Sequence, residues 1–298
     1  MSEAPLNHSI SATRRPRGIV WMASYPRSGM TWVRMFLRNL IDVLDRKDAA
    51  DDLNAMAGFG VGDTDVAHYS AVTDGAADEA DPKVIAEARP KVLRELLDRA
   101  DGLLPVRTHF ANVAMFGTPA IDPSVTAAGI YVVRNPLDVA VSYAAFRGMS
   151  FDDAIATMAQ SGQTVATPGR RVFTLLGSWS EHVASWTATQ TPALHVVRYE
   201  DLVADPVPRF KAIASHVSMT APDEAIAEAV ARCDFARIRA IEAEKGFGER
   251  PASAERFFRA GRVDQWRTGL TPAQIDTISS THVNQMARFG YLPEIAPA

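Results

Sequence analysis

Four short apolar runs punctuate the chain: Ile19 to Ala23, Leu103 to Arg107, Ile130 to Val133 and Leu194 to Val197, each bounded by turn-forming residues. Runs of this length without polar alternation predict strands buried on both faces, as in a parallel sheet. Between them, helical periodicity covers Trp32 to Leu44, Pro82 to Arg99, Leu137 to Phe146, Val172 to Thr187 and Pro208 to Val217. Strands alternating with helices predict βαβ units and a three-layer α/β fold around a central parallel sheet. No internal repeat is visible.

Two segments break the rhythm. Residues 48–82 hold nine acids (Asp48, Asp51, Asp52, Asp63, Asp65, Asp74, Asp78, Glu79 and Asp81) and no Lys or Arg, which predicts a long, mobile surface excursion. Residues 246–269 carry Arg250, Arg256, Arg259, Arg262 and Arg267 interleaved with Phe257, Phe258 and Trp266. That loop reads equally well as a nucleotide clamp or as a solvated charged loop.

Length and composition narrow the class. The 298 residues, 47% hydrophobic and 22% charged, suffice for a core and exclude a disordered, collagen-like or disulfide-stapled chain. The expectation is one domain over residues 1–298, with 1–17 as a flexible arm. A net charge of -4 argues against a dedicated nucleic-acid binder. The single Cys233 excludes an internal disulfide and a Cys-based zinc cluster. Arg14, Arg15 and Arg17 before Gly18–Ala23 imitate a twin-arginine export signal, but the apolar run stops at Tyr25-Pro26-Arg27, too short for export. No stretch reaches the roughly 18 apolar residues of a membrane span. These features predict a cytoplasmic protein without a membrane partner.

The chemistry concentrates at strand ends. Ser24-Tyr25-Pro26-Arg27-Ser28-Gly29-Met30-Thr31-Trp32 follows the first strand and opens a helix. Backbone amides there form an anion site, to which Arg27, Ser28 and Thr31 add donors while Gly29 permits close approach. The loop lacks the first glycine and the lysine of a Walker A motif, which disfavours ATP hydrolysis. Arg134, just past the third strand, and Ser142, on the next helix, can converge on a second dianion. Of seven histidines, only His109 sits at the C-terminal end of a predicted strand, where ligands collect in open α/β sheets. The other six read as structural. No Asp or His cluster has metal-ligand spacing, so no metal is expected.

These residues resemble the sulfotransferases that use 3′-phosphoadenosine 5′-phosphosulfate (PAPS). Tyr25-Pro26-Arg27-Ser28-Gly29-Met30-Thr31-Trp32 is similar to the family's Y-P-K-S-G-T-T-W phosphosulfate loop. Val133-Arg134-Asn135-Pro136 through Ser142-Tyr143 resembles its 3′-phosphate motif, and Arg107-Thr108-His109 its K-T-H segment, whose histidine is the general base. Tyr199-Glu200-Asp201-Leu202 resembles its adenine-side segment, and Phe258-Arg259-Ala260-Gly261 through Trp266-Arg267 its nucleotide clamp. The likeness covers residues 18 to 290 and implies the nucleotide-kinase-like sulfotransferase fold. It implies His109 as base with Arg27 and Arg107 as catalytic cations. It implies a cofactor site of Arg27, Ser28, Gly29, Met30, Thr31, Trp32, Arg134, Ser142, Tyr199, Phe235, Phe258, Arg259 and Gly261. Trp32 and Phe235 would enclose the purine of PAPS or of its product, adenosine 3′,5′-bisphosphate (PAP). The chain departs from the pattern at Arg27 and Ala260, where the family has lysine, at Asp264-Gln265, where it has Gly-Asp, and at Cys233-Asp234, where it has Thr-Ser.

The resemblance implies sulfuryl transfer to a hydroxyl or amine of a small acceptor. The acidic residues 48–82 would lie at the acceptor mouth and favour a neutral or cationic molecule. The rivals are a small-molecule or nucleoside kinase on the same fold and a non-catalytic nucleotide-binding protein. Homo-oligomerisation is left open.

Overall fold

Alternate residues of the first strand belong to different cores. In the computed structural model, which describes residues 17–73, 77 and 81–293, β1 (Gly18–Ser24) sends Ile19, Trp21 and Ala23 into one apolar cluster and Val20 and Met22 into another. Side chains alternate across a strand, so a run apolar at every position must be covered on both faces. β6 (Thr126–Val133) repeats the division, with Tyr131 and Val133 on one side and Ile130 and Val132 on the other.

β2 (Val61–Gly62), β3 (Leu103–Thr108), β1, β6 and β9 (Leu194–Arg198) form, in that order, a five-stranded sheet whose pairings are all parallel. One face is covered by α1 (Met30–Leu44), α2 (Leu53–Ala57), α9 (Pro206–His216), α10 (Asp223–Arg232) and α11 (Phe235–Lys245). Against the other lie α4 (Pro82–Asp98), α5 (Pro136–Arg147), α6 (Phe151–Ala159), α7 (Trp179–Thr187), α13 (Pro272–Thr281) and α14 (Val283–Phe289). This is the α/β fold expected. Short elements complete the chain: α3 (Val66–Ser70), α8 (Tyr199–Ala204), α12 (Trp266–Gly269) and the hairpins β4–β5 (Ala114–Met115, Thr118–Pro119) and β7–β8 (Thr164–Thr167, Arg171–Leu175). No described helix is long and apolar enough to cross a membrane.

Two expectations change. The helix predicted from Val172 begins only at Trp179, because Val172-Phe173-Thr174 forms the second arm of an antiparallel hairpin, a setting that favours β-branched and aromatic residues. Gly177, at φ 67°, turns the chain, and Ser178 starts α7 with a capping box to Glu181. The acidic excursion is also more ordered than expected. Asp52, Asp65 and Asp81 each accept a backbone N–H at the start of a helix, and Val61–Gly62 joins the sheet. Asp74, Asp78 and Glu79 lie outside the described residues. Of the arm predicted to be flexible, residues 1–16 lie outside them as well, whereas Arg17 donates to Leu97 O and Asp98.

Candidate active site

The loop between β1 and α1 holds two residues in left-handed conformation, Arg27 at φ 69° and Gly29 at φ 106°. Turns of this kind direct successive backbone N–H groups into one anion-binding concavity. Glycine is required at 29 because a Cβ would come within 2.5 Å of the Tyr199 ring. As the N-cap of α1, Gly29 supplies no side-chain acceptor, which leaves the first amides of a fifteen-residue helix available to a ligand.

Arg27 and Arg134 cross beneath this loop. Arg27 Nε donates to Ser142 Oγ at 3.2 Å and Nη2 to Phe257 O at 3.1 Å, with its guanidinium between the Phe146 and Phe257 rings. Burial, and then the charges of Arg134 and Arg259, push its pKa down to about 10, so it stays cationic at neutral pH. Arg134 donates to Arg27 O and Arg262 O, lies 4.2 Å over the Tyr199 ring and pairs with Asp138 at 3.7 Å. The segments 25–32 and 133–143 are therefore physically joined.

His109 leaves the end of β3 half-buried, its Nδ1 2.7 Å from Ser24 O. A carbonyl only accepts, so Nδ1 carries the proton and Nε2 is the basic nitrogen. Burial lowers its pKa, as do Arg171 and Arg34, against the opposing pull of the Ser24 carbonyl and Asp63. The ring is neutral and basic at physiological pH. His182 Nε2 in turn donates to His109 O at 3.1 Å, fixing the strand end from below.

The loop after α11 closes over these groups through two carboxylates. Glu242 accepts from the amides of Phe257 and Phe258. Asp138, on the first turn of α5, accepts from those of Asp264 and Trp266. Phe235 packs on Gly261, at φ 61°, where any Cβ would overlap its ring. Arg259 donates to Gln265.

All of these elements border one cleft of about 720 Å³. Arg27, Gly29, Met30, Thr31, Trp32, Arg107, His109, Arg134, Ser142, Tyr199, Phe235, Phe258, Arg259 and Gly261 line it. Ser28 is buried and does not. Trp32 is half-buried against Phe210 and Tyr199. Among the described residues no group of His, Cys, Asp or Glu could hold a metal ion.

Sequence reasoning missed the groups that are joined only by folding. Glu249 accepts from Arg34 at 2.8 Å and Arg107 at 2.6 Å. Against the upward pull of burial, the Arg34 hydrogen bond and the charges of Arg34, Arg107 and Arg171 hold its carboxyl below the usual range. Arg34 did leave a signal, since with Met30, Val33 and Leu37 it falls on the apolar face of α1. The described acids of 48–82 do not form a block at the mouth. Asp63 is buried on Arg89 at 2.5 Å, Asp51 pairs with Lys245, and of the described acids in this segment only Asp63 and Asp65 line the cleft.

A model of the sulfotransferase domain matches residues 18–290. The chain belongs to the sulfotransferase family. This sulfotransferase is 24% identical over 281 residues to flavonol 3-sulfotransferase of Flaveria bidentis, covering 87% of this chain and 78% of the relative. It is 26% identical over 279 residues to cytosolic sulfotransferase 16 of Arabidopsis thaliana, covering 86% and 73%. Its fold matches mouse sulfotransferase SULT7A1 complexed with PAP (TM-score 0.58, 18% identity, 93% of this chain and 90% of that one). It also matches retinol dehydratase in complex with androsterone and inactive cofactor PAP (TM-score 0.59, 19% identity, 90% and 80%). The sulfotransferase is an enzyme of sulfuryl transfer, with the cleft at the C-terminal ends of β1, β3 and β6.

Proposed function

We propose that this sulfotransferase takes PAPS as donor and passes its sulfuryl group to a hydroxyl or amine of a small acceptor, with His109 as general base. The observation that carries the reading is the convergence of two anion motifs from separate βα units on one cleft, bridged by the Arg27–Ser142 hydrogen bond. The residues present fit the donor. Ser28 Oγ, Trp32 Nε1 and Arg134 Nε are buried without a hydrogen-bond partner, a condition that costs about 1–3 kcal/mol each unless a ligand relieves it. The close packing of Gly29 on Tyr199 and of Gly261 on Phe235 keeps both aromatic rings at the cleft. The PAP carried by mouse sulfotransferase SULT7A1 and by retinol dehydratase supports the same donor here.

The amides of residues 27–31 and the Arg27 guanidinium would hold the phosphosulfate end. Arg134 and Ser142 would hold the 3′-phosphate, and Trp32, Tyr199, Phe235 and Phe258 the purine, with Arg259 and Gly261 closing the clamp. When bound, PAPS supplies the sulfuryl group. His109 Nε2 accepts the proton released by the acceptor's hydroxyl or amine, and its Nδ1–H bond to Ser24 O stabilises the resulting imidazolium. Arg27 places positive charge where negative charge collects on the departing phosphate. Arg107, held by Glu249, adds a second cation beside the base.

Calorimetry in EDTA tests the donor. PAP is expected to bind without metal, and Arg134→Ala to weaken it by roughly 10- to 100-fold, the worth of hydrogen bonds to a charged group. Adenosine 5′-phosphosulfate, which lacks the 3′-phosphate, should lose far less. Tighter binding of ATP with magnesium than of PAP would overturn the reading in favour of a kinase.

A further inference from the structure

The wall of the cleft beyond His109 is built by the β7–β8 hairpin. Val66 N donates to Arg170 O, Val172 N to Thr64 O, and the backbones of Asp65 and Arg171 pair in an isolated antiparallel bridge, so the hairpin is stitched to the chain that leaves edge strand β2. Further along, Ala111 N donates to Leu175 O at 2.9 Å, two residues past His109. The last residue of β8 thus meets the chain just past His109, and Arg170 and Arg171 line the same cleft as Arg107 and His109.

Among the described residues the charges on this wall do not balance. Asp63 is matched by Arg89, and Glu249 is divided between Arg34 and Arg107. Asp65 is exposed and caps α3. Neither Arg170 nor Arg171 forms an ion pair with a described carboxylate, and Arg171 feels Glu249 and Asp63 only at longer range. Both are exposed, as surface arginines commonly are, but Arg171 lines the cleft with His109 and with Arg34 and Arg107, which share one carboxylate, and it feels the charges of Arg107 and Arg170 against those of Glu249 and Asp63. Such clusters repel one another unless an anion enters. The cations assigned to the donor, Arg27, Arg134 and Arg259, belong to the β1, β6 and clamp elements, so the hairpin pair is surplus to them.

We propose that the acceptor of this sulfotransferase carries an anionic group, a carboxylate or its equivalent, which Arg171 binds while the acceptor's hydroxyl or amine faces His109. The inference rests on the sulfotransferase reading and reverses the charge preference expected from residues 48–82, whose described acids are spent mainly on helix caps and ion pairs. Arg171's planar fork suits a carboxylate, and Arg170 and Arg107 add to the field around it.

The experiment measures binding of three phenols to the PAP-loaded protein: para-hydroxyphenylacetate, its methyl ester and tyramine. The acid should bind about tenfold or more tightly than either, as expected for a gained charge-assisted pair. Arg171→Gln should reduce that preference to about threefold or less, Arg171→Lys should keep part of it, and PAP and PAPS should bind both variants as they bind the parent. Equal binding of acid and ester, a preference for tyramine, or binding of none of the three at millimolar concentration overturns the proposal. A parallel loss of PAPS affinity in Arg171→Gln overturns it too, by placing this arginine on the donor. Failure of PAP to bind the unmodified protein would instead bring down the donor reading.

Discussion

Arg27 Nε reaches Ser142 Oγ across 3.2 Å, a contact between residues 115 positions apart. It joins the loop after β1 to the helix after β6, and the Phe257 carbonyl on the same guanidinium adds the closing loop. On the proposed function, donor binding and charge stabilisation would meet in this one side chain. Arg27→Ala is expected to lower kcat/KM by about 10² to 10³, the cost of losing one preorganised charge stabiliser. Arg27→Lys keeps the charge but has one point of contact where the fork has two, so steady-state kinetics should place it between the parent and the alanine variant. A lysine variant as slow as the alanine one would show that the planar fork is indispensable.

His109→Ala should cut kcat by roughly 10² to 10⁴ while calorimetry finds PAP affinity unchanged. The direction of its pKa gives a second readout. Burial and neighbouring arginines lower it, so the base is already neutral at pH 7, and kcat/KM should fall only as pH drops below about 6.5. Arg171→Gln removes a charge that depresses this pKa and should move the acid limb upward. A limb that stays in place would disconnect Arg171 from the base.

The half of the cleft proposed for the donor is legible in the sequence because its parts are contiguous. Arg27 to Trp32 and Arg134 to Ser142 each span a strand end and a helix start, so local chain geometry alone brings their donors together. The half proposed for the acceptor is not. Arg34, Arg107, Arg171 and Glu249 come from a helix, a strand, a hairpin and a loop, and no spacing rule relates them. Reading Val172 to Thr187 as one helix hid the hairpin that carries Arg171, since a short apolar run fits either period until Gly177 and the Ser178 cap are weighed. Counting acids in 48–82 says little about the mouth for a related reason, because composition does not distinguish a free carboxylate from one that caps a helix or meets a buried arginine.

Asp138 ties the closing loop to α5. Its carboxylate accepts from Asp264 N at 2.9 Å and Trp266 N at 3.2 Å and also faces Arg134. Asparagine has one acceptor oxygen and a donating amide, so it cannot satisfy both amides and the cation. Asp138→Asn is expected to cost about 2–3 kcal/mol of stability and to weaken PAP binding although Asp138 lies outside the proposed cofactor contacts. Hydrogen exchange should accelerate at residues 257–267 in the variant, and unchanged exchange there would show that Glu242 alone anchors the loop.

Acid stability should depend on two buried histidines away from the donor. Tyr131 donates to His182 Nδ1 at 2.8 Å while His182 Nε2 donates to His109 O, so an added proton on Nδ1 would cost a hydrogen bond as well as a buried charge. Burial holds His182 down at about 3 and His282 at about 4. In the unfolded chain both return to about 6.5. Because their folded pKa values are depressed, the unfolded state takes up protons that the folded state refuses, so the stabilisation is complete above pH 6.5 and shrinks as pH falls towards those values. Each contributes a slope approaching 1.36 kcal/mol per pH unit once pH is well below 6.5. Denaturant melts of the parent and of His182→Gln between pH 7 and 4.5 isolate one such contribution, because the remaining titrating groups are common to both. The variant should be less stable at pH 7 and should lose less stability on acidification. Parallel curves would mean that His182 accepts its proton in the folded protein at an ordinary pH, and that the buried Tyr131–His182–His109 arrangement is not maintained in solution.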